Sequence, residues 1–261
     1  MMKKTVLVTG ACINTGVDIV EKFAQEGYDV VFTGRKVENV TDAEKRYKEK
    51  FKDVNIIGYA IDSLINEKNV DEKAVENLFK FLDEKGIVIE TLVLNAADQG
   101  LNIKIFENPL TDFMKVINTN VVWNYLICEH ASKRMMKIGG GNIVFINSNT
   151  AYRAIPDRVA YVASKGGQLG LMRALALDLG KYNIRVNAVL PGMIKTDRWE
   201  KNPDFYAKVP SRFTPIGDVA VGKDIADAVF YFAACARNTT GAELVVDGGN
   251  TIQLYPIIPE E

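Results

Sequence analysis

Along this chain, short runs of consecutive apolar residues alternate with longer stretches in which apolar side chains recur every three or four positions. Continuous runs predict strands buried on both faces of a parallel sheet, and the wider spacing predicts helices with one packed stripe. Thr5 to Thr9 and Asp29 to Thr33 read as the first two strands, with a helix over Val17 to Glu26 between them that Gly27 closes. A charged helical stretch from Val37 to Lys52 leads to a third strand over Asn55 to Ile61. Asp71 to Leu82 predicts a surface helix whose stripe is Ala74, Val75, Leu78, Phe79 and Leu82, ended by Gly86. A fourth strand, Thr91 to Ala97, runs into a turn of small residues. Next come a long helical region from Leu110 to Lys137, a strand over Ile143 to Ser148, a helix over Val159 to Leu179, and a strand with its leading turn over Lys181 to Leu190. Strand-helix alternation of this kind predicts βαβ units with right-handed crossovers: one doubly wound, three-layer α/β domain over residues 1–261, with a mainly parallel sheet of about seven strands.

Length and charge narrow the function classes. The 261 residues suit one large α/β domain, since no linker separates two patterned halves. With 32 basic and 33 acidic side chains, the net charge of -1 gives no global field for nucleic acid or a membrane surface. The one dense basic run, Lys45 to Lys52, is balanced by acids and reads as a solvated helix face. Three dispersed cysteines, Cys12, Cys128 and Cys235, predict a reducing compartment without a disulfide framework. The apolar run after Lys3 and Lys4 is too short for a signal segment or a membrane span, so the expected location is the cytoplasm. His130 is the single histidine and has no nearby ligand set, which predicts a structural role and no metal site.

The first strand ends in a glycine turn, Gly10 to Gly16, that opens a helix. Backbone N–H groups at such a helix start can hold a pyrophosphate, although glycine turns after strands also occur without a ligand. After the second strand stand Gly34, Arg35 and Lys36, where a carboxylate would suit the ribose of NAD. Small size and positive charge there favour a 2'-phosphate, so NADP(H) is preferred and NAD(H) remains an option; the alternative is that Arg35 and Lys36 are solvated loop residues. Asp62, after the third strand, is a candidate for contact with the adenine.

Tyr161 and Lys165 lie four residues apart on one helix, and so present their polar ends to the same side. A phenol with an ordinary pKa of ~10 transfers protons poorly near neutrality unless a neighbouring cation favours phenolate. Ser148, at a strand end thirteen residues earlier, can converge on the same point and hold a substrate oxygen beside the phenol. Tyr-x-x-x-Lys pairs are common on amphipathic helices, so other segments must supply the context.

That context resembles the short-chain dehydrogenase/reductase family, which includes bacterial 3-oxoacyl-carrier-protein reductases and hydroxysteroid dehydrogenases. The resemblance runs from Thr9 to about Asn250 and rests on several motifs in order. Gly10, Cys12, Asn14, Thr15 and Gly16 resemble the cofactor turn, with Asn14 in place of the middle glycine; asparagine tolerates positive φ better than most residues. Asn95 and Ala96 match part of the Asn-Asn-Ala-Gly segment. Asn120, Ser148, Tyr161 and Lys165 fall on the catalytic positions, and Pro191, Gly192, Ile194 and Thr196 on the loop that contacts the nicotinamide carboxamide. Thr240 to Gly249 is similar to the terminal strand and glycine turn.

The resemblance implies a Rossmann-type fold and hydride transfer between a ketone and a secondary alcohol, with no metal. It implies Tyr161 as general acid/base and Ser148 as the orienting group. Lys165 would be ribose ligand and cation, and Asn120 the holder of a water that links Lys165 to solvent. It also implies a dimer or tetramer formed through the small-residue helix, and a substrate lid around 193–215 to which Trp199, Phe205 and Tyr206 belong. The apolar tail from Ile252 to Pro259 is a further candidate for a subunit contact. A 3-oxoacyl-carrier-protein reductase, or a catalytically weak nucleotide-binding regulatory subunit, stands as the alternative.

Overall fold

The computed structural model describes residues 3–66, 69–196, 199, 203 and 212–256. Its central sheet has seven parallel strands: β1 (Thr5–Val8), β2 (Asp29–Gly34), β3 (Ile56–Ala60), β6 (Thr91–Leu94), β7 (Gly141–Ile146), β8 (Ile184–Pro191) and β9 (Glu243–Val246), in the spatial order β3-β2-β1-β6-β7-β8-β9. A small antiparallel pair, β4 (Leu64–Ile65) and β5 (Asn69–Val70), lies outside it. The helices are α1 (Thr15–Gln25), α2 (Val37–Lys50), α3 (Glu72–Glu84), α4 (Leu110–Ile117), α5 (Trp123–Lys137), α6 (Val159–Gly180) and α7 (Gly222–Phe230).

Three layers result because the central strands β1, β2, β6, β7 and β8 are buried on both faces, while the edge strands β3 and β9 are partly covered. Successive side chains point to opposite sides of a strand. Val6 and Val8 of β1, with Val30 and Phe32 of β2, therefore pack against α1, α2 and α7. Leu7 and Val31 face the other way, toward α3, α5 and α6. On the first side Phe23 of α1 meets Tyr28 and Phe230 edge to face, with ring centroids 5.2 and 5.4 Å away.

Between the expected lid and Thr240 stands a helix that the sequence pattern does not announce: α7 packs along α1 through Ile225, Ala226 and Val229. Another difference falls in the long helical region, which is α4 and α5 joined by a π turn over Asn118–Val122, where the N–H of Trp123 reaches back to the carbonyl of Asn118. His130 stacks on Phe79 at 5.2 Å, and Arg134 covers the same ring, which makes the histidine a packing residue. All three cysteines are free.

From β1 the chain builds outward to β2 and β3, then crosses back to β6 on the other side of β1. At such a reversal the loops leave in opposite directions and open a crevice beyond the carboxyl ends of the strands.

Candidate active site

A parallel sheet delivers the ends of all its strands to one edge, and the residues singled out in the sequence collect there. Gly10 follows β1, Arg35 follows β2, Asp62 follows β3, Asn95 and Ala96 follow β6, Ser148 follows β7, and Pro191 closes β8. At the reversal, β1 and β6 are latched together. The Thr9 hydroxyl accepts from the backbone N–H groups of Asn95 and Ala96, both at 3.0 Å, and the Asn95 amide donates to the carbonyls of Thr9 (3.1 Å) and Gly10 (2.9 Å). Gly10 has φ +66°, and a Cβ there would lie 2.8 Å from the Ala96 Cα. At Gly16 a Cβ would meet the Ala11 Cα at 2.7 Å. Asn14 takes φ 51° and ψ -144°, the positive φ expected of a residue replacing glycine, and α1 starts with no side-chain cap. The N–H of Val17 returns to the Asn14 carbonyl at 2.8 Å, and those of Thr15 and Gly16, at the positive end of the helix dipole, suit an anion.

Support for the turn comes from α2, whose basic run is more than a solvated face. The Tyr47 hydroxyl, fully buried, donates to the Ala11 carbonyl at 2.6 Å, and the Arg46 guanidinium donates to the Cys12 carbonyl at 3.1 Å. The exposed Arg46 and Arg35 thus stand on the two elements bordering the turn. Sequence periodicity marks Tyr47 as a stripe position but gives Arg46 no distinguishing signal. The Cys12 thiol fills the space that Gly34 leaves open, since a Cβ at Gly34 would come 2.3 Å from its sulfur. Burial pushes this thiol up, against the charge of Arg46. Asp62 is exposed and accepts from the N–H of Leu64 at 3.2 Å. Gly192 passes close to β9, where a Cβ would lie 2.5 Å from that of Asp247, and Ile194 bridges to Ala220. Thr196 is partly buried. Of the expected lid, 193–215, Phe205 and Tyr206 lie outside the described residues, while Trp199 is partly buried.

Tyr161, Lys165, Ser148 and Asn120 meet where α6 passes the end of β7 and the π turn. Lys165 is 2% exposed, with its Nζ donating to the Ile146 carbonyl at 2.9 Å and to Gln168 Oε1 at 3.1 Å, 5.6 Å from the centre of the Tyr161 ring. Ser148 lies just beyond β7, and its hydroxyl accepts from the Thr150 N–H and hydroxyl at 3.2 and 2.9 Å. Asn120 sits in the π turn, fully buried. Its side chain accepts from the Asp98 N–H at 2.7 Å and donates to the Asp98 carbonyl and the Ser164 hydroxyl. Its backbone carbonyl receives the side-chain amides of Asn124 and Gln168 at 2.9 and 2.7 Å. Asn147 and Gln168, both buried, complete this network and carried no signal in the sequence, where an amide beside a Tyr-x-x-x-Lys pair is indistinguishable from any other polar residue.

Electrostatics here differ from the simple expectation of a lysine that pulls the phenol down. Burial pushes the Tyr161 phenol above its ordinary value, with the Ser148 hydroxyl and the Arg158 charge opposing the rise. Burial likewise pushes the Lys165 amine down from 10.5 to about 7, since dehydration penalises a cation that has only neutral acceptors around it. Both groups sit in their neutral forms more readily than free side chains do.

Glycine positions that a Cβ would fill, an uncapped helix start and a crevice at the strand reversal fit a dinucleotide, with a tyrosine-lysine-serine group beside it. These features define a nicotinamide-dependent oxidoreductase acting on carbonyl and alcohol groups. The chain belongs to the short-chain dehydrogenase/reductase family. The family described as Enoyl-(Acyl carrier protein) reductase matches residues 10–251. An uncharacterised oxidoreductase of Thermotoga maritima is 32% identical, over 96% of this chain and 97% of its own. A 3alpha-hydroxysteroid dehydrogenase of Mediterraneibacter gnavus is also 32% identical, over 95% and 97%. The solved structure of ElxO with NADP bound superposes with a TM-score of 0.85 at 31% identity, covering 97% of this chain and 100% of the other. Among the described residues no helix is long and apolar enough to cross a membrane, and no cluster of His, Cys, Asp or Glu is placed to hold a metal ion.

The depressed lysine carries a stability signature. Between about pH 7 and 10.5 the unfolded chain binds a proton at Lys165 that the folded chain does not, so this group makes folding more favourable as pH rises through that window, by up to ~1.4 kcal/mol per pH unit. Lys165→Met removes the penalty. Urea denaturation of the unliganded protein should show the variant's advantage over wild type largest at pH 7 and below, shrinking toward pH 10.5; a constant difference across that range would contradict the assigned burial cost.

Proposed function

We propose that the protein interconverts a ketone and a secondary alcohol with NADP(H), using Tyr161 as general acid/base. The observation that carries this reading is the convergence of Tyr161, Ser148 and a buried Lys165 beside the dinucleotide crevice. A reduced nicotinamide held in the crevice would supply the hydride for the carbonyl carbon. Ser148 donates a hydrogen bond to the carbonyl oxygen and fixes it beside the phenol, and Tyr161 gives that oxygen its proton. The ammonium form of Lys165 would stabilise the phenolate left behind, and hydroxyl acceptors of a ribose held beside it would favour that form by replacing part of its lost hydration. Asn120 holds the π turn to the strand edge through Asp98 and to α6 through Ser164, which keeps the lysine's surroundings in register.

Surface charge favours a small-molecule substrate over a protein-borne one. Of the basic residues available to greet an acidic carrier, Lys133 pairs with Glu129, Arg134 with Asp83 and Arg173 with Glu243. Arg153 and Arg158 keep their charge but are tied to the carbonyls of Asn250 and Gln99, and Lys137, exposed, lies near Asp83. The convergence of Asn120, Ser148, Tyr161 and Lys165 likewise favours an enzyme over a nucleotide-binding regulatory subunit.

A homodimer or homotetramer through α6 is part of this proposal. Gly166 and Gly170 present open backbone, Leu177 is 83% exposed on the same helix, and Ile252, Leu254 and Tyr255 are exposed in the tail. Multi-angle light scattering at assay concentration should report two or four subunits; a monomer would reject the proposal.

Purified Tyr161→Phe should bind cofactor normally while turnover on a confirmed ketone drops by ~10²–10⁴-fold. Near-wild-type turnover would move the acid elsewhere. Preference for NADPH rests on Arg35, beside the exposed Lys36 and with no carboxylate after β2, and is in keeping with the NADP-bound ElxO structure. Fluorescence titration should find Arg35→Ala weakening NADPH roughly tenfold with little change for NADH, since one charge-assisted phosphate contact is lost. Arg46→Ala, which also releases the Cys12 carbonyl, should weaken both cofactors. Tighter binding of NADH by the wild-type protein would contradict the preference.

A further inference from the structure

Gln168 occupies a place that a core residue of a helix normally gives to an apolar side chain. It lies one turn beyond Lys165 on α6 and is 1% exposed, yet every polar end of its amide is engaged with the acid/base network. Its Oε1 accepts from Lys165 Nζ and from Asn147 Nδ2, both at 3.1 Å, and its Nε2 donates to the Asn120 carbonyl at 2.7 Å. The orientation is fixed from both ends. Asn147 must point its amino group at Gln168 because its own oxygen accepts from the Ser148 N–H at 2.7 Å, and Lys165 can only donate. With two donors facing the oxygen and a carbonyl facing the nitrogen, the amide has one arrangement that satisfies all three neighbours.

We propose that Gln168 is a positioning residue of the acid/base site, a fixed amide that clamps the Lys165 amine at the end of β7 and ties it to Asn120. The inference rests on the reading of Tyr161 and Lys165 as the acid/base pair and adds a member to it. Two consequences follow from the chemistry of an amide. It holds the lysine by a dipole and not by a charge, so the amine can still titrate near neutrality, as its burial requires. An amide also hands on no proton at ordinary pH, so the link between Lys165 and Asn120 is a clamp. The Asn120 carbonyl, already receiving Asn124 and Gln168, has both lone pairs committed to protein donors.

The surroundings leave few other controls on this amine. From β7 the Ile146 carbonyl faces it, from α6 the Tyr161 ring and Gln168, and from the loop after β7 Asn147, itself bonded to the Lys165 carbonyl. Arg158, at the start of α6, acts on Tyr161, and the Asp98–Lys115 pair at 3.7 Å lies behind Asn120. Burial alone accounts for the displaced lysine, with no carboxylate contributing. A change at Gln168 is therefore read directly at Lys165.

The test uses the full-length unliganded protein carrying ¹³C-lysine, with the Lys165 Cε resonance assigned by its loss in Lys165→Met. Gln168→Met keeps the size of the side chain and removes both polar ends; it should lower the Lys165 titration midpoint by about one pH unit, the scale of one lost hydrogen bond to a charged group. Gln168→Glu keeps an acceptor against the lysine and should raise the midpoint by at least as much. In the alcohol-oxidation assay, Gln168→Met should reduce kcat roughly tenfold and move the rising limb of the pH profile upward, with KM for the alcohol nearly unchanged. Midpoints unmoved in both variants, or a Gln168→Met profile that overlays wild type while only thermal stability falls, would overturn the proposal and leave Gln168 a packing residue. If Gln168→Met does not fold, the Gln168→Glu midpoint decides alone. Because the NMR titration needs neither turnover nor substrate, it separates failure of the clamp from failure of the Tyr161 assignment.

Discussion

The latch between β1 and β6 is the constraint on which the remaining geometry depends. Thr9 and Asn95 exchange side-chain and backbone hydrogen bonds across the point where the strand order reverses, and they do so with groups that would otherwise be unpaired at buried strand ends. Burying a polar backbone group without a partner costs on the order of 1–3 kcal/mol, so the latch sets the spacing of the crevice as well as its stability. Once the two strand ends are held, Gly10 must pass within contact of Ala96, and only a residue without Cβ can do so at φ +66°. The start of α1 is then fixed beside the crevice, and α7 and α2 pack behind it.

How much of this was legible in the sequence depended on the range of the interaction. Strand runs, the glycine turn and the four-residue spacing of Tyr161 and Lys165 are local patterns, and each sits where the pattern put it. The positive φ of Asn14 is local too, since it follows from asparagine standing where the turn needs a glycine. What stayed hidden is non-local. The helix α7 has its apolar stripe at Ile225, Ala226 and Val229, yet it runs into a π turn over Tyr231–Cys235 with no glycine stop to mark its end. Arg46 and Gln168 acquire meaning only through residues 34 and 48 positions away, Cys12 and Asn120. The π turn that carries Asn120 comes from a shift in helix register that no apolar periodicity announces.

Burial and charge oppose one another at Tyr161 and Lys165, and their balance gives the site its character. Lys165 lies too deep to keep its ordinary basicity and Tyr161 too deep to ionise freely, so the unliganded protein holds both groups closer to neutrality than solvent would. Polar contacts that act on the pair therefore carry more weight than they would at a surface. The Ser148 hydroxyl and the Gln168 amide are such contacts, and the second sets a neutral dipole against the buried lysine.

The central claim is that the crevice at the β1–β6 reversal and the Tyr161 group form one site for moving a hydride onto a carbonyl carbon. It is tested most directly by incubating the wild-type protein with NADPH deuterated at C4, prepared separately as each stereoisomer, and a panel of ketones, followed by mass and NMR analysis of the alcohols. The account predicts that one of the two stereoisomers delivers its deuterium to the carbinol carbon of a turned-over ketone, while the other leaves the product unlabelled. Alcohol formed without deuterium from either isomer, or consumption of neither cofactor nor ketone across the panel with NADPH and NADH alike, would contradict it.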